Sequence, residues 1–252
     1  MCLVVLAWKS HPEYRLIVAA NRDEFHGRPA RDAEWWADEP TILAGRDLQA
    51  GGTWLAVSRS GRFATVTNYR EQERRKGGLR SRGELVTNFV AGTAGALAYA
   101  RSLDADRYAG FSLLAADAGE LSYVSNRGDA AEMLEPGVYG LSNASLDTPW
   151  TKLVRSKELL TSLLDADDVN ETELLRLLAD RQPAPAAEVE SDQLPFDLAR
   201  ALTAPFIVAP EYGTRCSTVV LTGNDGTVRF TERRFDAGGR QTGESRHQFD
   251  IE

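Results

Sequence analysis

The feature that most restricts the fold is the pairing of short β-rich runs across tight polar turns at both ends of the chain, with the helical signals confined to the middle. Leu3 to Trp8 and Tyr14 to Ala20 flank Lys9-Ser10-His11-Pro12-Glu13, and Thr53 to Ser58 and Arg62 to Asn68 flank Ser60-Gly61. Phe111 to Ala116 and Leu121 to Asn126 flank Asp117-Ala118-Gly119-Glu120, with short strands expected to continue to Leu141. Near the C-terminus, Phe206 to Val208, Ser217 to Thr222 and Val228 to Phe235 read as strands, the last two joined by the strong turn Asn224-Asp225-Gly226. Helices are expected from Ser81, where Ser81 and Glu84 have capping-box spacing, and over Ala94 to Leu103. Asp147 reads as the N-cap of a third helix with Pro149 in its first turn and Leu153, Val154, Leu159, Leu160 and Leu163 as its apolar face. Asn170 or Glu171 opens a fourth through Leu178, while Arg70 to Lys76 and Gln182 to Pro195 read as exposed loops. Hairpins with helices segregated between them specify an α+β layered architecture. No Gly-rich phosphate loop stands at a strand-to-helix turn, which argues against a doubly wound parallel sheet.

A chain of 252 residues with 42% hydrophobic content can bury its core as one domain spanning 1–252. Its 29 basic residues against 37 acidic ones give a net charge of −8, which argues against nucleic acid or an anionic membrane as partner. The opening MCLVVLAW lacks a basic flank and a cleavage site, and no run nears the roughly 20 apolar residues of a membrane span, so a cytoplasmic protein without integral membrane association is expected. Cys2 and Cys216 are expected as free thiols.

Cys2 is the residue around which chemistry can be built. Met1 is generally removed when the second residue is as small as cysteine, and removal leaves a thiol and a free α-amine on one residue. An α-amine with a pKa of about 7.7–8.0 is roughly a tenth to a sixth neutral at pH 7 and can act as a base where a lysine cannot. Against this stands a cysteine that merely packs. Asn21-Arg22-Asp23-Glu24 ends the strand expected to pair with the one beginning at Cys2; it supplies a carboxylate for an ammonium and a guanidinium for a thiolate, where an ordinary reading is a solvated turn. His11, His26 and His247 read as surface histidines without metal-ligand spacing, so neither a metal nor a cofactor is expected. Cys216 reads as a packed strand residue beside Arg215, and Trp35, Trp36 and Trp54 as core, lid or pocket lining.

Cys2, Asn21 to Glu24, Arg28-Pro29, Gly51 to Leu55, Thr67-Asn68-Tyr69, Arg82 to Val86, Asn126-Arg127-Gly128, Tyr139 to Asn143, Asp147 to Trp150, Tyr212 to Arg215 and Phe230 to Arg233 together resemble, in order, the NRDE family, also called Transport and Golgi organization 2. That family is similar to the N-terminal-nucleophile hydrolases of the choloylglycine hydrolase and penicillin V acylase group. The resemblance implies a four-layer αββα sandwich with two mostly antiparallel sheets, and cleavage of a linear amide through an acyl-thioester. It implies Cys2 as nucleophile, Asp23 holding the α-amine, the Asn68 backbone N–H and the Asn143 side chain as oxyanion donors, and Arg215 near the thiol. Those acylases carry Arg-Asn-x-Asp where this chain has Ala20-Asn21-Arg22-Asp23, so Arg22 either replaces the shifted guanidinium or fills the substrate pocket. The partner is then a small-molecule amide or, on the family's other implied role, a non-catalytic haem or acyl-CoA-type lipid ligand to be bound and trafficked; no oligomeric state follows from these patterns.

Overall fold

The computed structural model describes residues 2–70, 79–128, 130–189 and 194–252. Met1 and most of the Arg70 to Lys76 charge run lie outside the described residues. The chain runs through β1 (Leu3–Trp8), β2 (Tyr14–Phe25), β3 (Ala30–Trp35), β4 (Ile42–Asp47), β5 (Leu55–Ser58), β6 (Phe63–Asn68), α1 (Gly83–Ala91) and α2 (Ala96–Ser102). It continues with β7 (Phe111–Ala116), β8 (Leu121–Ser125), β9 (Glu132–Met133), β10 (Gly137–Leu141), α3 (Thr151–Asp165), α4 (Glu171–Leu178), α5 (Phe196–Ala201), β11 (Tyr212–Gly223), β12 (Thr227–Phe235) and β13 (Gln241–Asp250).

Two antiparallel sheets result, of order β10-β1-β2-β11-β12-β13 and β3-β4-β5-β6-β7-β8-β9. Period-two alternation divides each central strand between two apolar layers. Val4, Leu6 and Trp8 of β1 meet Leu55, Val57 and Phe63 of the other sheet in the middle of the sandwich. Leu3, Val5 and Ala7 face outward onto Leu153, Leu160, Leu174 and Leu178 of α3 and α4. On the opposite outer face, Ala44, Ala64 and Val66 pack under Leu85, Phe89 and Val90 of α1 and Ala96 of α2. This is the αββα sandwich. Each fully buried Leu, Val or Phe is worth about 1.5–3 kcal/mol, so three such layers can carry the cost of a polar cluster at one end.

Several local expectations are revised. Ser81 and Glu84 do not form a reciprocal box: Glu84 reaches back to Arg80, and Arg82 is the N-cap without a side-chain bond. Asp147 is not a cap either; at φ 55° it accepts from the Gly140 N–H at 2.8 Å and from Lys157 at 2.6 Å, and Trp150 is the N-cap of α3. Of the residues assigned to the buried face of α3, Leu153 and Leu160 are buried and Leu163 is partly buried, whereas Val154 and Leu159 are exposed; Lys152 and Ser156 are buried as well. Asn170 does cap α4, accepting from the Glu173 N–H at 3.0 Å. Phe206 to Val208 is no strand, and β3, β4, α5 and β13 went unpredicted.

Candidate active site

Strand register builds the site. Leu3 stands opposite Asn21, so Cys2, one residue earlier, reaches the end of β2 that carries Arg22 and Asp23. The tetrapeptide is no turn: β2 runs on to Phe25, because β11 supplies a second partner that pairs Thr214 with Asp23 and Cys216 with Arg22. A register shift between those pairs leaves Arg215 bulged out of the ladder. By alternation Arg22 shares the inter-sheet face with Val18 and Ala20, while Asp23 shares the helix-covered face with Asn21. Asn21 is structural there. Its amide donates to the Leu178 and Pro205 carbonyls at 2.9 Å each and accepts from Ser217 at 2.6 Å, tying the end of α4 to the sheet.

Asp23 is buried, and its Oδ1 accepts from the Thr214 hydroxyl at 2.7 Å. Burial pushes its carboxyl up to about 6, against the opposing pull of the chain-terminal positive charge, Lys152, the Thr214 bond and Arg22. The Cys2 backbone N–H donates to Asn143 Oδ1 at 2.9 Å, and the Cys2 carbonyl accepts from the Ser142 hydroxyl at 2.5 Å. Asn143 Nδ2 donates to the Asn68 carbonyl at 2.7 Å, while the Arg70 N–H donates to the Asn143 carbonyl at 2.8 Å. Asn143 therefore joins the start of β1 in one sheet to the end of β6 in the other. Burial pushes the Cys2 thiol up, and the Asp23 charge adds to this; the Asp23 backbone N–H and Arg22 pull it down without prevailing. At rest the sulfur is a thiol and needs a base.

Arg22 is buried with its guanidinium stacked 4.1 Å from the Trp54 ring centre and Nη2 3.3 Å from Asp47 Oδ2. Asp47 also accepts from Arg28 at 2.6 Å and from the Gln49 and Ala50 N–H groups at 3.0 Å. Burial raises its carboxyl, but the Arg28 and backbone bonds outweigh this and hold it below the ordinary range. Trp54 in turn lies on β4, where a Cβ at Gly45 would come 2.5 Å from the ring; only glycine leaves room for it. Arg215 is placed differently. Its Nη1 donates to the carbonyls of Phe25 at 2.9 Å and Arg28 at 3.1 Å, pinning the turn after β2, so Arg22 is the guanidinium whose charge bears on the thiol.

Cys2, Arg22, Asp23, Asn68, Asn143 and Trp54 line one cavity of about 770 Å³, which is also bordered by Arg28, Arg70, Arg80 and Arg82. Arg215 is not among its lining residues. Trp35 and Trp36 lie elsewhere: Trp35 packs on Phe249, and Trp36 is buried with Nε1 donating to the Ala44 carbonyl at 3.0 Å. The histidines are less exposed than expected; His11 is buried, with Nδ1 accepting from the Glu13 N–H at 3.1 Å. Cys216 is buried, and burial together with the nearby Glu232 carboxylate pushes its thiol well up. No three His, Cys, Asp or Glu side chains among the described residues converge as metal ligands. Sequence reasoning missed Ser142, Asp47, Thr214 and Lys152 at this end of the molecule. For Lys152 a signal existed: a lysine one residue before Leu153 and eight before Leu160, inside an apolar face.

The family model described as Transport and Golgi organisation 2 matches residues 1–237. A Transport and Golgi organization protein 2 homolog from Bos taurus is 39% identical over 256 residues, covering 92% of each chain. Transport and Golgi organization protein 2 of Drosophila melanogaster is 26% identical, covering 92% of this chain and 91% of the relative. Among solved structures, a mutant conjugated bile acid hydrolase from Clostridium perfringens superposes with a TM-score of 0.56 at 8% identity, covering 100% of this chain and 92% of that one. The Caenorhabditis elegans ortholog of N-acylethanolamine-hydrolyzing acid amidase gives a TM-score of 0.52 at 11% identity, covering 87% of this chain and 92% of that one. Both likenesses show the fold.

Proposed function

The chain belongs to the Transport and Golgi organisation 2 family, and from that premise we propose that it is an N-terminal-cysteine amidohydrolase that cleaves a linear amide through an acyl-thioester. The observation that carries this reading is the meeting of the Cys2 backbone nitrogen, Asn143 and buried Asp23 at one end of the large cavity. The two similar folds are borne by proteins named as an amidase and a conjugated bile acid hydrolase, which agrees with it.

With Met1 removed, the Cys2 nitrogen is an α-amine, held by Asn143 Oδ1 and by the charge of Asp23. It takes the proton from Sγ, and the thiolate attacks the substrate carbonyl, forming the C–S bond as the C=O electron pair moves to oxygen. Asn143 Nδ2 exchanges the Asn68 carbonyl for that oxyanion, assisted by the Asn68 backbone N–H. The C–N bond then breaks, the leaving amine takes the proton from the α-ammonium, and water repeats the sequence on the thioester to release the acid and restore the thiol. Arg22, fixed by Asp47 and Trp54, lowers the cost of the thiolate. Arg215 serves at one remove, by holding the Phe25 to Arg28 turn that positions Arg28 on Asp47.

A second reading is favoured by the arginines: Arg22, Arg28, Arg70, Arg80 and Arg82 border the cavity and suit an anionic ligand such as haem or an acyl-CoA-type lipid, bound without turnover. One experiment separates the two. Wild type and Cys2→Ala are incubated with a panel of N-acyl amides and product is followed by mass. Turnover lost in a folded Cys2→Ala supports the hydrolase, whereas tight anion binding with no turnover, unaffected by a retained Met1, supports the carrier.

A further inference from the structure

Lys152 is a buried charge that the proposed mechanism leaves unused. Lys152 is the second residue of α3 and is 2% exposed. The positive end of a helix is an unfavourable place for a cation. Burial of an ammonium is costly unless it is paired. Among the described residues its Nζ donates one long bond, 3.4 Å to the Leu202 carbonyl, with the Trp150 ring centre at 5.9 Å. The packing that puts it there is deliberate in form. A Cβ at Gly140 would come 2.8 Å from Leu153 Cγ, so the missing side chain lets the first turn of α3 settle directly on β10. Leu153 then drops onto the sheet and Lys152 is delivered to the helix-covered face that carries Asp23. The ionisable groups that bear on its nitrogen are Asp23 and Cys2.

We propose that Lys152 is the buried countercharge of Asp23, a positioning residue that keeps the carboxylate charged so that it can hold the α-amine of Cys2 against the thiol. The inference rests on the amidohydrolase reading but makes a claim about charge that stands apart from turnover. The groups facing Asp23 are the chain-terminal charge and Cys2 from the β1 side, Arg22 from its own strand, Lys152 from α3 and the Thr214 hydroxyl from β11. Even with Lys152 present, burial leaves the Asp23 carboxyl at about 6, one unit below neutrality. Without that cation a larger share of Asp23 is protonated at neutral pH, and the hold on the amine weakens. Burial draws the Lys152 ammonium below the lysine range, and ionised Asp23 sustains it.

The test follows the Asp23 carboxyl by 13C NMR against pH, with Asp23→Asn for assignment, in wild type and Lys152→Met. The midpoint is expected to rise by about one unit or more in the variant. Alkylation of Cys2 at pH 7, localised by peptide mass on protein lacking Met1, is expected to slow about tenfold. A folded Lys152→Met with an unmoved Asp23 midpoint overturns the proposal. If Lys152→Met does not fold, Lys152→Arg decides: the charge-keeping variant must retain the wild-type midpoint, and a rise of a unit there overturns the proposal. Neither readout needs a substrate, so a protein without amidase activity sinks the hydrolase reading alone, while an active enzyme with an unmoved midpoint sinks this inference alone.

Discussion

Cys2 and Cys216 flank the same end of β2, yet their surroundings differ in kind. Cys216 faces Arg22 across the β2–β11 ladder, and Cys2 approaches that strand end from β1. Both thiols are raised by burial. What separates them is what converges on each sulfur. Cys216 has the Glu232 carboxyl and the Thr218 hydroxyl for neighbours and no place among the lining of the large cavity. Cys2 opens on that cavity, carries the Asp23 N–H, and has its backbone nitrogen on Asn143. Burial near an arginine does not make a nucleophile; donors, an anchored nitrogen and room for a substrate do.

The contrast breaks most sharply under deletion of the sulfurs. Cys2→Ala is expected to lower turnover of the amide by about 10⁴-fold or more, as loss of a catalytic nucleophile does, with folding retained by circular dichroism. Cys216→Ala is expected to leave kcat/KM within about twofold. Equal losses at the two positions would remove the distinction. Next in size, Asn143→Ala is expected to cost about 10²–10³ in kcat, measured by initial rates, because it removes one oxyanion donor. The same change breaks the link between Cys2 and Asn68, so a fall in melting temperature accompanies it.

The pH dependence of Asp23 sharpens the comparison further. Its folded value of about 6 lies above the ordinary 3.8, so the protonated form is the one that folding favours. The stability this confers is full below about pH 4 and is lost as pH rises through 6. At about 1.4 kcal/mol per unit, the difference is about 3 kcal/mol. Asp23→Asn is therefore expected to flatten the dependence of stability on pH between 4 and 7 by up to that amount in denaturant titrations, while turnover is lost. In wild type the acid limb of kcat/KM is expected near pH 6. Smallest of all, Cys216→Ala is expected to cost about 1 kcal/mol in stability.

The contrast also explains what the sequence made legible. Apolar runs such as Leu16 to Ala20 and Phe111 to Ala116 fill both faces of central strands, so period and turn chemistry located them and the layered fold. Strands β3 and β13 bury little, Ala33 being the one buried residue of β3, and so carry no apolar signal. Cys2, Asp23, Asn68 and Asn143 were readable because family motifs carried them. Arg215 shares a motif with them, but a bulge visible only in the β2–β11 ladder turns it toward backbone carbonyls. Lys152 was passed over because a lysine carries no apolar signal of its own: the face assigned to α3 holds at Leu153 and Leu160 and fails at Val154 and Leu159, and Gly140 sets how closely that face meets the sheet.

The most direct test of the account is intact mass of the purified protein before and after a thiol-directed acylating probe, beside Cys2→Ala. The account predicts a chain lacking Met1 that takes one adduct, absent from Cys2→Ala, with Cys216 unmodified until the protein is unfolded. A chain that retains Met1, or whose adduct persists in Cys2→Ala, would contradict it.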